Sequence, residues 1–305
     1  MILNELRYVV AVAQERNFRR AAENCFVSQP ALSVAIQKLE GELGIQIFER
    51  SRTEISLTNI GNLVVEQAQR VLEEADKVKV LARTGNNPLI GPIRLGVIFT
   101  VGPYLLPKII PELKKLAPDM PLDIEEGLTA NIEQHLRNGH LDAAILSLPF
   151  DVPGIITKPL YDEVFKVVVS SNHPWARMKS IRSSALEKEK VLLLDSGHCF
   201  SNQVTEFCPE LSRHSHDTVQ GNSLETIRNM VASGLGITVM PACATNPYPA
   251  DKLLKVVTFS SPEPSRRIAI VWRKSYSRQP AINIIKQAIN KIEATWMKKF
   301  KSRMR

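Results

Sequence analysis

The sequence predicts an α/β protein in three parts: a small helical module ending in a hairpin, one long seamed helix, and a larger body of two α/β lobes. Three observations lead there. Short helical patterns crowd the first 60 residues, a heptad run of small apolar side chains follows, and the remainder alternates apolar strand runs with helical stretches.

Leu6, Val9, Val10 and Ala13 recur at helical spacing and predict a first helix. Phe18 to Cys25 makes a second, and Phe26-Val27-Ser28 a tight turn. Ser28 caps a third helix from about Gln29 to Leu43, with Pro30 tolerated in its first turn and Gly44 ending it. Its buried stripe is Leu32, Ile36, Leu39 and Leu43. Ile45-Gln46-Ile47-Phe48 and Ile55-Ser56-Leu57 then flank the polar turn Arg50-Ser51-Arg52-Thr53, the pattern of a hairpin wing.

Thr58 caps a long helix. Beyond Leu57, the residues Val64, Ala68, Val71, Ala75, Val78 and Ala82 are spaced alternately four and three apart, which predicts a coiled-coil seam with a second copy of the chain. The plainer reading is an amphipathic helix lying on its own domain. Thr84-Gly85-Asn86-Asn87-Pro88 ends the helix as a linker.

In the larger body, strands are expected over Pro92 to Ile98, Leu122 to Glu126 and Asp142 to Ser147, with helices over Pro103 to Leu116 and Ala130 to Arg137. Further strands follow at Val164 to Val169, Val191 to Leu194, Ile237 to Met240, Leu253 to Val257 and Ile268 to Trp272. A helix spans Leu224 to Val231, and a last one runs from Gln279 into the basic tail. Such alternation predicts a parallel sheet with helices on its faces, and its length favours two lobes with a cleft between them. Domain divisions are expected at 1–58, 59–87 and 88–305.

Net charge is +8 over 305 residues, but the excess is local. From Lys286 to Arg305 seven Lys or Arg accompany Glu293 alone, whereas residues 1–60 balance seven basic against seven acidic side chains. Basicity by itself therefore says little about nucleic acid, and the case rests on particular side chains. Four cysteines (Cys25, Cys199, Cys208, Cys243), with no apolar signal segment at the start, read as cytoplasmic thiols rather than a secreted disulfide framework. No apolar run approaches the roughly 20 residues of a membrane span.

Two short helices joined by a turn, the second capped by Ser28 and followed by a wing, make a winged helix-turn-helix. Away from its buried stripe the second of them presents Gln29, Pro30, Ser33, Val34, Gln37 and Lys38. Glutamine can bond adenine edges, serine is permissive, and Pro30 and Val34 suit thymine methyls. Arg19, Arg20, Arg50 and Arg52 lie where the flanking helix and wing would meet phosphates. The plainer alternative is a helical hairpin whose polar face is only solvated.

Cys199 and Cys208 are the most informative pair. If the residues between them are helical, their α-carbons lie about 13 Å apart, beyond the roughly 7 Å limit for a disulfide. Closure would then refold the segment and couple redox state to shape. Cys25 and Cys243 read as small core residues.

The stretches Phe18-Arg19-Arg20-Ala21-Ala22, Val27-Ser28-Gln29-Pro30-Ala31-Leu32-Ser33, Ile36-Gln37-Lys38-Leu39-Glu40, Phe48-Glu49-Arg50 and Leu57-Thr58-Asn59-Ile60-Gly61 resemble the LysR-type transcriptional regulators. Beyond them, Thr100-Val101-Gly102-Pro103-Tyr104-Leu105-Leu106-Pro107, Gly197-His198-Cys199 with Cys208, and Ser223-Leu224-Glu225-Thr226-Ile227-Arg228 resemble the family's peroxide-sensing branch. The resemblance covers nearly the whole chain. It implies a winged helix-turn-helix, a linker helix and a two-lobed regulatory domain like periplasmic binding proteins, assembled as a homotetramer, a dimer of dimers.

As partners it implies double-stranded promoter DNA, hydrogen peroxide, cellular thiol reductants and RNA polymerase, with no cofactor and no metal. It implies site roles too. Cys199 is similar to the peroxidatic thiol and Cys208 to the resolving thiol of a reversible disulfide. Thr100, Thr129 and His198 match positions lining the peroxide site, and Arg266 matches a nearby cation favouring the thiolate. The implied course is sulfenic acid at Cys199, condensation with Cys208 and loss of water, then altered spacing of the DNA-reading helices. Such a chain is an activator, not an enzyme.

Three other readings stay open at this point. A small-molecule effector in the cleft would use helix N-termini near Thr100, Thr129 and Ser223. Metal binding by His198, Cys199, Cys208, His214 and His216 has suitable ligand types but no recognised spacing. A thiol peroxidase would leave the long seam helix without a role.

Overall fold

A computed structural model describes residues 1–50, 55–84, 87–209, 220–245, 253–292 and 295–299. The chain forms two compact units, one holding Met1–Pro88 with two short later segments, the other holding most of the remainder.

In the first unit the apolar stripes expected from spacing face one another, except at Leu43, which is 40% exposed in the last turn of its helix. Helices α1 (Leu3–Glu15), α2 (Phe18–Asn24) and α3 (Gln29–Leu43) bury Leu6, Val9, Val12, Ala21, Leu32, Ile36 and Leu39 together. The second helix stops one residue early, at Asn24, and Cys25 is its half-buried C-cap. The Asn17 side chain accepts the Arg19 and Arg20 N–H groups at 2.9 and 3.1 Å, which fixes where α2 starts. Phe26 follows at φ +57, and this left-handed turn brings Ser28 round to cap α3. Gly44, at φ +68, ends that helix.

Strands β1 (Phe48–Arg50) and β2 (Ile55–Leu57) pair antiparallel, Phe48 opposite Leu57, as the wing requires. The buried Glu40 carboxylate accepts the N–H groups of Ile47 and Phe48 at 2.8 and 3.2 Å, tying the wing to α3. Thr58 accepts the Gly61 N–H at 2.8 Å and starts α4 (Asn59–Thr84).

The seam of α4 does not behave as one stripe. Ala68 is buried in the core of this unit, and Val64, Val65, Val71 and Leu72 pack against the same core, whereas Val78 is 67 % exposed. The first half of α4 therefore packs on its own unit, as in the plainer reading of this helix. A heptad pattern records which side chains are apolar, not which surface buries them.

In the second unit β3 (Ile93–Ile98) pairs parallel with β4 (Leu122–Gly127) and β5 (Ala143–Ser147), with α5 (Gly102–Leu116) and α6 (Thr129–Arg137) between them in sequence. The next strand is far longer than the expected Val164 to Val169. β6 (Ile155–Ser170) pairs by its first ten residues with β12 (Ser265–Arg273) and by its last six with β10 (Ile237–Pro241) and β11 (Leu254–Phe259), and β11 pairs parallel with the short β7 (Ser180–Ile181). One strand thus belongs to two sheets. β10 continues the second sheet through a parallel pairing to β8 (Val191–Leu194), and β8 then pairs with the short β9 (Gln220–Gly221).

The wholly parallel sheet is also corrected: β12 runs antiparallel to β5 and β6, and β10 antiparallel to β6. A doubly covered strand reads as an apolar run whichever way it points, so the pattern does not carry direction. α7 (Cys199–Phe207) and α8 (Leu224–Ala232) accompany the second sheet. α9 (Gln279–Lys291) enters the basic tail as far as Lys291, as expected, and beyond it a two-residue strand, β13 (Lys298–Lys299), pairs with Tyr161 and Asp162 of β6. Trp296 explains the reversal: it is buried with its ring 5.5 Å from that of Tyr161, an apolar anchor that turns the chain back onto the sheet.

Candidate functional site

The exposed face of α3 carries Gln29, Pro30, Val34, Gln37 and Lys38, with Ser33 half-buried among them. Ser28 Oγ accepts the Ala31 N–H at 3.4 Å, so the first turn of this helix is capped and its start open to solvent. The surrounding cations are held by the chain's own carboxylates. Arg19 pairs with Glu23 at 3.2 Å, Arg20 with Glu15 at 2.8 Å, and Lys38 with the nearly buried Glu5 at 3.1 Å. Exposed pairs of the Arg19 kind are weak and can be exchanged for phosphate oxygens. Arg50 ends β1, and Arg52 lies outside the described residues. Sequence reasoning overlooked Phe26, 95 % exposed beside this face, and Glu40, whose buried carboxylate sets the wing.

The second constellation forms where three loops meet. Phe99, preceding Thr100, lies 5.9 Å ring to ring from His198, and Gly197 packs closely on Leu128, just before Thr129. Cys199 is the first residue of α7 and Cys208 its C-cap; neither is in a disulfide, the first is half-buried and the second buried. Nine residues of helical rise set their α-carbons about 13 Å apart. The helix between them is pinned. Phe200 and Val204 are buried, the Phe200 ring lies 5.0 Å from that of Phe165, and Gln203 Nε2 donates to Ser147 Oγ and to the Leu148 carbonyl, each at 2.9 Å. Joining the sulfurs requires this helix to unwind.

Arg266 on β12 is buried, its guanidinium carbon 5.2 Å from the centre of the Phe200 ring in the first turn of α7. Nη1 donates to Thr100 Oγ1 at 2.8 Å and Nη2 to the Thr100 carbonyl at 3.0 Å. The Nε side is taken by Glu163 at 2.9 Å, a carboxylate with no exposed surface. Burial is the largest single effect and opposes the guanidinium charge, but Glu163, Cys243, Cys199 and Tyr161, in that order, together outweigh it, and the pKa of Arg266 is raised. The cation expected from sequence is therefore present but already paired.

Burial pushes the His198 imidazole below its ordinary value, against opposing effects of Asp195 and a hydrogen bond with the Asn222 backbone. At neutral pH it is an uncharged dipole, not a second cation. Thr129 Oγ1 is buried and has no hydrogen-bond partner among the described residues. It is a free polar atom at the start of α6. Cys243 is buried as expected, but on the same network: its N–H donates to Glu163 at 2.7 Å and its Sγ to the Thr100 carbonyl at 3.7 Å. Burial raises its thiol well above the usual range, with Glu163 adding to the effect. Such a thiol stays protonated and unreactive.

Glu163 and Gln203 were not singled out from sequence. Glu163 had a signal: Tyr161, Glu163, Phe165 and Val167 share one parity of β6 and are all buried, which places a carboxylate inside an apolar face. Gln203 had none, since its acceptors lie 55 and 56 residues away. As for an anionic effector, the Glu126 carboxylate packs directly on Gly102, the first residue of α5, so that helix start already faces a carboxylate of the chain itself. Among the described residues no group of three or more His, Cys, Asp or Glu is placed to hold a metal ion, and His214 and His216 lie outside them. No helix among the described residues is long and apolar enough to cross a membrane.

Comparison with known proteins places both parts of the chain in one family. Residues 3–62 match the bacterial regulatory helix-turn-helix protein family of lysR type, and residues 86–291 match the LysR substrate binding domain. A hydrogen peroxide-inducible genes activator of Dickeya chrysanthemi is 41% identical over 276 residues, covering 90% of each chain. The DNA-binding transcriptional dual regulator OxyR of Escherichia coli K12 is 40% identical over 273 residues, again covering 90% of each. Among solved structures, full-length OxyR C199D from Pseudomonas aeruginosa superposes with a TM-score of 0.80 at 47% identity, covering 99% of both chains.

Proposed function

Because the chain belongs to the LysR family of bacterial helix-turn-helix regulators, we propose that it is a peroxide-responsive transcription activator switched by a reversible Cys199–Cys208 disulfide. The observation that carries this reading is α7 itself, a helix that begins on one thiol and is capped by the other. The Cys199 thiolate attacks one peroxide oxygen and breaks the O–O bond, giving sulfenic acid and a hydroxide that takes up a solvent proton to leave as water; the Cys208 thiol then displaces a second water to form the disulfide. Bond formation pulls together ends that the helix holds apart, so Phe200 and Gln203 must leave their partners. The switch is this loss of packing.

The geometry supports a role for each side chain. Arg266, fixed on Thr100, supplies positive potential beside α7; Thr129 Oγ1 and the neutral His198 supply polar atoms for the peroxide oxygens. Cys25 and Cys243 take no part. In the N-terminal unit, Gln29, Pro30, Ser33, Val34 and Gln37 read bases from α3, with Ser28 holding its start and Lys38 tying it to Glu5 of α1, while Arg19, Arg20, Arg50 and Arg52 meet phosphates. The divisions are residues 1–58 for DNA binding, 59–87 for linkage and 88–305 for sensing. The sensing part has two lobes in the manner of periplasmic binding proteins, with β6 shared between them. The working form is a cytoplasmic dimer of dimers on promoter DNA that acts on RNA polymerase, is reset by cellular thiol reductants, and turns over no metabolite.

Footprinting on the chain's own upstream region tests this. Reduced and peroxide-treated protein should protect DNA differently, and Cys199→Ser should keep the reduced footprint under peroxide. Identical footprints in all samples would remove the redox switch and leave DNA binding intact.

A further inference from the structure

Taking Cys199 as the reacting thiol, as proposed above, we propose that Glu163 is a positioning residue of the peroxide site that aims the Arg266 guanidinium and offsets part of its charge. Glu163 and Arg266 side chains have no exposed surface, so neither finds its partner in solvent. The contacts are specific. Glu163 Oε2 takes Nε and Nη2 of Arg266, at 2.9 and 2.8 Å, while Oε1 takes the Cys243 N–H at 2.7 Å. With that edge of the guanidinium occupied, the opposite edge meets Thr100 through Nη1 and Nη2.

A guanidinium has five N–H donors; three are hydrogen-bonded here, Nε to Glu163 and one each of Nη1 and Nη2 to Thr100, and Nη2 also lies in ion-pair range of Glu163 Oε2. The second Nη1 hydrogen has no acceptor among the described residues. Glu163 thus decides which donor is left over and, by holding the plane against the Phe200 ring, where it points. Its charge acts in the other sense. The ionisable groups around Arg266 are Glu163 and Tyr161 on β6, Cys243 after β10 and Cys199 on α7, with the neutral His198 beside the last. Glu163 is the anion among them at neutral pH besides any Cys199 thiolate, so it competes with that thiolate for one cation. Nothing on the surface can perform this function, because water would screen it.

Two substitutions separate aim from charge. Glu163→Gln keeps the size and one acceptor but removes the anion, leaving Arg266 uncompensated. The Cys199 thiolate is then favoured, and the midpoint of its alkylation by iodoacetamide against pH, followed by mass spectrometry of the Cys199 peptide, should fall by about one unit. Glu163→Asp keeps the anion but shortens its reach. Here the midpoint should stay near that of the parent, while the rate of Cys199 oxidation by hydrogen peroxide falls roughly ten- to a hundredfold through misaimed donors. If Glu163→Gln does not fold, Glu163→Asp alone decides. An unmoved midpoint in the first variant, or an unchanged peroxide rate in the second, overturns the inference. A parent chain that peroxide fails to oxidise at Cys199 overturns the sensing reading instead, and the alkylation comparison still stands.

Discussion

The Lys38 ammonium of α3 lies 3.1 Å from the Glu5 carboxylate of α1, whose side chain is 4% exposed. That carboxylate also accepts the Ile2 N–H at 2.8 Å, and this bond, followed by Lys38, holds its carboxyl below the ordinary value. Lys38 is therefore part of the contact between α1 and α3 before it is anything to DNA. Lys38→Met should lower the thermal midpoint of the DNA-binding unit and change the slope of log K against log salt by clearly less than the 0.9 or so that one phosphate contact contributes. Arg19→Ala should show the reverse. Its pair with Glu23 is exposed on both sides, so the slope should drop by about 0.9 with little change in stability. Equal slope changes in the two variants would return Lys38 to the phosphates.

The divided seam of α4 makes a second prediction. Ala68 is 3% exposed and Val78 67% exposed on the same heptad stripe. Ala68→Glu should bury a charge without a partner and destabilise the DNA-binding unit by about 3 kcal/mol or more, read as lost helicity on heating. Val78→Glu should leave that unit folded and shift the sedimenting species toward the monomer. A folded, monomeric Ala68→Glu would restore the full-length dimer seam.

Most elements were legible because local chemistry marks them. Ser28 and Gly44 bound α3, Thr58 starts α4, and Val191–Leu194 is a strand to the residue. Direction and pairing were not legible, since β12 slots between β5 and β6 from far along the chain and nothing in Ile268 to Trp272 says which way it runs. The thiol pair could be read for its consequence because helical rise is universal. Its supports could not: Glu163 meets Arg266 across 103 residues and Gln203 meets Ser147 across 56. The return of the chain beyond α9 was not legible, because Trp296 shows no periodic partner.

The buried His198 makes stability pH-dependent in a definite sense. Its folded pKa lies below that of the unfolded chain, so the neutral ring's contribution is complete above the unfolded value, near 6.5, and is lost as pH falls through the folded one. The thermal midpoint of the sensing unit should decline on acidification through this window, and His198→Gln should flatten that decline. A parent whose midpoint instead rises on acidification there would mean that the ring gains a proton on folding.

Gln203 gives the most direct handle on the switch. Its two donated bonds, to Ser147 Oγ and the Leu148 carbonyl, join α7 to the end of β5. They exist while the helix is wound and must break when Cys208 is drawn to Cys199. Gln203→Ala removes both from the reduced form and nothing from an unwound, oxidised one. At about 1 kcal/mol for each neutral bond, the reduced state loses about 1–2 kcal/mol relative to the disulfide. For a two-electron couple 30 mV corresponds to about 1.4 kcal/mol, so the reduction potential should become more negative by about 20–40 mV. The variant should then be oxidised at lower peroxide doses and reset more slowly by a dithiol. Equilibration against glutathione buffers measures this. A potential that does not move would mean that Gln203 keeps its partners after closure and that the first turns of α7 survive, placing the refolded segment nearer Cys208.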